Sequence, residues 1–129
     1  MTASHVLESM LEQCELTDKA DKVGEAMYRF RWGSATVVAG AAGEAIVVIA
    51  PLFPALPENK SADFCQRLLQ LNSRMGGTAG FALAPDGAVV LQAGRGVKGL
   101  DADEFRLMLG TVGKFADDYD DPLRDEFYE

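Results

Sequence analysis

"AMYRFRWGSATVVAGAAGEAIVVIA", residues 26–50, decides the fold class of this 129-residue chain. "AMYRFRW" alternates strictly: Tyr28, Phe30 and Trp32 fall on one face, Arg29 and Arg31 on the other, the pattern of a half-buried strand. "GS" turns it into "ATVVA", and "GAAG" turns that into "EAIVVIA". The third segment is apolar on both faces, as befits a central strand or one covered on both sides. Three strands joined by short Gly-containing turns predict an antiparallel meander.

Helical spacing brackets this meander. Upstream, "SHVLESMLEQCEL" (4–16) sets Val6, Leu7, Met10, Leu11 and Cys14 on one stripe, with Ser4 as the expected N-cap, and "TDKADKVGE" (17–25) reads as a polar connector. Downstream comes "PLFPALPEN" (51–59), three prolines with Leu52, Phe53 and Leu56, apolar side chains that a plain surface connector has little reason to carry. A helix capped by Asn59 or Ser61 then runs to about Arg74. Phe64, Leu68, Leu71 and Met75 form one stripe on it, and Cys65, Leu69 and Asn72 an adjacent one, so its apolar arc is wider than one sheet face requires. Gly76 and Gly77 end it.

"TAGFALAPDGAVVLQA" (78–93) is two strands around a Pro-Asp-Gly turn. Asp101 and Glu104 form a capping box for a last helix carrying Phe105, Met108, Leu109, Val112, Phe115 and Tyr119. Gly110 and Gly113 weaken that helix but permit close approach of a neighbour. The predicted order is α-β-β-β-α-β-β-α: an α+β fold with a five-stranded antiparallel sheet and helices packed on it. One domain is expected over 1–119, followed by an acidic tail over 120–129 that frays because Pro122 stops the helix.

Composition excludes several function classes. The net charge of −8 is concentrated at the end: residues 117–129 hold seven acids and one arginine, a net of −6. Nucleic acids and anionic membranes require a basic face, so neither is an expected partner. No apolar run approaches a bilayer span, and the N-terminus lacks the basic region of a signal peptide, so a cytoplasmic location is expected. Cys14 and Cys65 have no CxxC spacing and the chain holds one histidine, His5, so both thiols read as core residues rather than zinc ligands.

Catalytic motifs are lacking too. "GRGVKG" (94–99) matches G-x-G-x-x-G, but the helix after it is the last element and no second parallel strand can complete a dinucleotide unit. "DDYDD" (117–121) lacks the glycine and ligand spacing of an EF-hand loop. No catalytic residue, metal ligand or cofactor site is assigned, and a non-enzymatic protein is expected. What remains is apolar surface in excess of one core, the mark of self-association or partner binding.

At this point the chain resembles a known family. "FCQRLLQLNSRMGGTAGFALAPDGAVVLQAGRGVKGLDADEFRLMLGTVGKFADDY" (64–119) is similar to the second half of class I type III secretion chaperones: a helix ending in Leu-Leu-x-x-Asn, a Gly-containing break, a strand carrying "FAL", a D-G turn, "VVL", and a Leu-Asp-capped final helix. The resemblance implies a small, acidic, cytoplasmic homodimer that holds the N-terminal segment of a secreted effector in extended form. It implies pairing through helix 61–75, making Phe64, Leu68, Leu69, Leu71 and Met75 the candidate dimer interface. Tyr28, Phe30, Trp32, Leu52, Phe53 and Leu56 are the candidate partner-binding residues. The ending "FADDYDDPLRDEF" (115–127) is more similar to YbjN-type relatives of the same fold, described as sensory-transduction or motility regulators, which implies a regulatory alternative.

Overall fold

The computed structural model describes residues 2–128; Met1 and Glu129 lie outside them. Helix α1 spans Ala3–Gln13, and its N-cap is Thr2 rather than Ser4: the Thr2 hydroxyl accepts the His5 N–H at 3.2 Å. The connector after it is not all loop. A short 3₁₀ helix, Thr17–Lys19, leads into strand β1, Asp21–Gly24. Then come β2 (Met27–Trp32), β3 (Ala35–Ala42), β4 (Ala45–Phe53), α2 (Ser61–Ser73), β5 (Gly80–Leu83), β6 (Val89–Gly96) and α3 (Ala102–Phe127).

The sheet is antiparallel throughout, with six strands rather than five, in the order β1-β2-β3-β4-β6-β5. The extra strand escapes sequence reading because Asp21, Lys22 and Val23 are exposed at the sheet edge, where no buried face imposes alternation. The meander β2-β3-β4 forms as its turns predict, and β4 is central. The Pro-Asp-Gly hairpin also forms: Ala84 N–H bonds the Ala88 carbonyl at 2.8 Å, and Asp86 accepts the Ala88 N–H at 3.0 Å.

Two boundaries differ from expectation. Strand β4 continues through Pro51 to Phe53 instead of stopping at the proline. The β3–β4 ladder ends at Val38↔Ile49, so at Pro51 that side of the strand needs no N–H donor, and a bulge follows between Pro51 and Phe53. Helix α3 runs through Pro122 to Phe127, although the proline removes the N–H that Asp118 would accept. Side-chain burial supplies the compensation. Leu123 is 2% and Phe127 8% exposed, so the segment expected to fray is packed against the body.

All three helices share one core with one face of the sheet. Leu7, Met10 and Leu11 of α1, Phe64, Leu68 and Leu71 of α2, and Phe105, Leu109 and Val112 of α3 join Phe30, Val37, Ala39, Ile46, Val48, Ala50 and Leu91. Among the described residues the sheet is therefore covered on one side only.

Candidate partner-binding surface

The register places every strand residue on one face or the other. Tyr28↔Ala39, Phe30↔Val37 and Trp32↔Ala35 lie on the helix-covered face. Phe30 is buried, Tyr28 half-buried, and Trp32 keeps 43% of its surface exposed. Trp32 lies across α3, where glycine is required: a Cβ on Gly113 would stand 2.4 Å from the indole Cγ, while one on Gly110 would sit at an ordinary 3.6 Å. The close approach that two helical glycines foretold is therefore made, and the neighbour is Trp32.

Among the described residues no element covers the opposite face. Val38↔Ile49, Gly40↔Val47 and Pro51↔Val90 line it across the centre of the sheet, with Arg29, Arg31 and Thr36 flanking. Val38, Val47 and Ile49 are only half-buried and take no part in the core. The apolar alternate positions of "AIVVIA" thus face outward, uncovered.

The proline loop divides. Phe53 is 6% exposed and stacks on Tyr128 with ring centroids 4.1 Å apart, while Phe64 meets Phe127 edge-on at 5.1 Å. Tyr128 donates its hydroxyl to the Ala55 carbonyl at 2.7 Å, and Arg67 grips Glu126 with two nitrogens at 3.1 and 2.8 Å. Burial, with a smaller contribution from neighbouring Cys65, pushes the Tyr128 phenol up to about 12. Phe53 is thus a core residue, while Leu52 and Leu56 remain half-buried beside it.

The candidate dimer stripe needs the same division. Phe64, Leu68, Leu71 and Met75 are 0–7% exposed within the single protomer, so they hold α2 to its own sheet and offer nothing to a second copy. Leu69, on the adjacent stripe, is 70% exposed. Periodicity locates the buried side of a helix, but it does not say whether that side meets the same chain or another.

The two sheet edges differ. At β5, Asn72 of α2 accepts the Phe81 N–H at 2.7 Å and donates to the Phe81 carbonyl at 3.3 Å, capping the edge. At the other edge, β1 pairs with β2 only from Met27 to Arg29, leaving Phe30, Arg31 and Trp32 without a strand on that side. The β2–β3 turn is fixed by a contact that local sequence patterns do not announce. Ser34 donates its N–H and hydroxyl to Asp117 Oδ1 at 3.0 and 2.6 Å, with Asp120 Oδ2 at 3.3 Å from the same hydroxyl. Those bonds hold the Asp117 carboxyl below the usual carboxylate range. Asp117 also occupies the space where Gly33, at φ +59°, would carry a side chain.

"GRGVKG" is half strand: Gly94–Gly96 complete β6, and Gly94 admits Val47 at close range. Among the described residues no group of three His, Cys, Asp or Glu is placed to hold a metal, and no helix is long and apolar enough to cross a membrane.

Comparison with known proteins bears on this surface. No curated protein matches the chain. Solved structures do match. They include a chain of the ExoU–SpcU complex of the Pseudomonas aeruginosa type III secretion system (18% identity, TM-score 0.68, 89% of this chain and 94% of that one). A chain of the HopA1–SchA chaperone–effector complex aligns at 11% identity and TM-score 0.68, over 92% and 95%. One of the ExsC–ExsE complex aligns at 16% and 0.64, over 93% and 92%. At these identities the likeness is one of fold. The model of the Tir chaperone protein (CesT) family matches residues 5–112, from α1 through the sheet into α3, and the chain belongs to that family.

Proposed function

We propose that this chain is a binding protein without chemistry of its own, a cytoplasmic homodimeric chaperone that holds the N-terminal segment of a secreted effector in extended form. The observation that carries this reading is the uncovered outer sheet face, where Val38, Val47 and Ile49 remain half-buried in the protomer. Family membership adds the chaperone role, and one structure of similar fold, HopA1–SchA, is a chaperone–effector complex. The partner surface of this proposal comprises that face and, round the open edge of β2 on the helix-covered side, Tyr28 and Trp32, together with the half-buried Leu52 and Leu56; Phe30 and Phe53 support it from within. The dimer forms through the outward stripe of α2 around Leu69. The main domain is taken as 1–119, with the acidic residues 120–129 as an appendage held to it by Leu123 and Phe127.

Co-purification from the native organism, with mass spectrometry of the retained proteins, tests the reading. A secreted protein retained through its N-terminal segment is the expected result. A kinase or transcriptional regulator retained in its place would establish the regulatory alternative, which the YbjN-like ending "FADDYDDPLRDEF" favours.

A further inference from the structure

The open edge of β2 has a cavity on each side. On the helix-covered face, Leu16, Trp32, Val37 and Leu109 line an apolar cavity of about 220 Å³. On the other, Arg29, Thr36 and Asp21 line a polar cleft. Lys19, Phe30 and Arg31 line both, so the two cavities flank the same stretch of strand at Phe30 and Arg31, with Lys19 beside it. Asp21 pairs with Arg29 at 3.5 Å, and among the described residues Lys19 and Arg31 have no carboxylate partner. A chain of net charge −8 thus keeps a cationic cleft where its sheet is open.

We propose that this edge binds an extended peptide segment in which apolar and acidic residues alternate. The inference deepens the reading of the chain as a holder of extended segments and rests on it. Successive side chains of a strand point to opposite faces. A segment laid along Phe30–Trp32 therefore sends one side chain into the apolar cavity and the next toward Lys19 and Arg31. Backbone pairing supplies sequence-independent affinity, and the two cavities supply the selection. Asp117 and Asp120 of α3 lie at the β2–β3 turn just beyond Trp32, where the Ser34 N–H and hydroxyl engage them, so the attraction for acidic side chains is set at the other end of the stretch, by Lys19 and Arg31. The β5 edge is less open, since Asn72 already holds the Phe81 N–H and carbonyl at its middle.

Trp32 is the only tryptophan and lines the apolar cavity, so its fluorescence reads occupancy directly. The probes are eight-residue peptides of alternating Leu and Glu, Leu and Gln, and Leu and Lys, titrated into the full chain. The Leu–Glu peptide is expected to saturate the signal at a Kd at least tenfold below the Leu–Gln peptide, with no saturation by Leu–Lys. The double variant Arg29→Glu, Arg31→Glu, at two exposed positions, is expected to keep its circular dichroism and reverse the preference toward Leu–Lys by at least tenfold. Equal binding of the Leu–Glu and Leu–Lys peptides, or an unchanged preference in the double variant, overturns the proposal. If the peptides fail to discriminate while the chain still retains a secreted protein, this site is wrong and the chaperone reading stands. If they discriminate and no secreted protein is retained, the site stands and that reading falls.

Discussion

Gly110 and Gly113 lie one helical turn apart under the same indole, yet an added methyl group has opposite effects at the two. At Gly110 the new Cβ meets Trp32 at van der Waals distance, so Gly110→Ala keeps the helix-propensity gain of up to about 1 kcal/mol and raises the melting temperature. At Gly113 it would overlap the ring 2.4 Å away, and overpacking of about 1–3 kcal/mol exceeds that gain. Gly113→Ala is therefore expected to lower the melting temperature; a rise there would show that the indole is not seated on α3. The Ser34–Asp117 contact has a pH signature. The folded state holds the Asp117 pKa below its ordinary 3.8, so the contact stabilises the fold above that value and is lost as pH falls below it. Urea unfolding at pH 5 and pH 3 is expected to show a smaller acid loss in Asp117→Asn than in the parent chain. Equal losses in both would refute the assignment. The glycines were legible as a site of close approach because their position in a helix is costly without one. Ser34 and Asp117 were not, since 83 residues separate them and neither residue type is unusual where it stands.

The end of α3 shows an element overriding its local signals. Pro122, and the acids at 117, 118, 120 and 121 near a helix C-terminus, all argue for a stop. Leu123 and Phe127 return to the core at i+4 spacing, and burying each stabilises by about 1.5–3 kcal/mol, which outweighs those costs. Ending the chain after Asp121 is accordingly expected to lower the melting temperature by about 10 °C or more, given a few degrees per kcal/mol for a domain of this size. A drop of only a degree or two in differential scanning calorimetry would mean that the last two turns are detached. The proline loop behaves likewise. Phe53→Asp buries a carboxylate in the aromatic nest and should yield unfolded or aggregated protein, whereas Leu52→Asp, at a half-buried bulge position, should fold. Elements that carry their own local code were legible: the Pro-Asp-Gly hairpin, the alternation of β2, and the N-cap half of the expected capping box, in which Asp101 accepts the Glu104 N–H at 2.8 Å while the Glu104 carboxylate turns to Arg95. Strand β1 was not, because an exposed edge strand imposes no pattern on its residues.

At the scale of the whole molecule, the arc of α2 proves to be mostly internal, and the dimer of the proposed function must use what lies outside it. Light scattering during gel filtration is expected to give twice the 13.9 kDa protomer mass. Leu69→Asp should return the chain to 13.9 kDa without loss of stability, since Leu69 is 70% exposed. A parent chain of 13.9 kDa at micromolar concentration would exclude the dimer. The layer architecture was legible from element order. The distribution of apolar side chains between core and free surface was not, because a strand apolar on both faces reads the same whether its second face is covered or bare. The aromatic nest also joins distant parts of the chain. Arg67 and Glu126 are 59 residues apart, and Tyr128 reaches back 73 residues to Ala55. Hairpin pairing closes loops of a few residues, but these contacts close one of the longest loops in the chain. Helix α2, anchored by Phe64 inside that nest, is thus tied to the body through the last turns of α3, so whatever loosens the end of the chain loosens α2 with it.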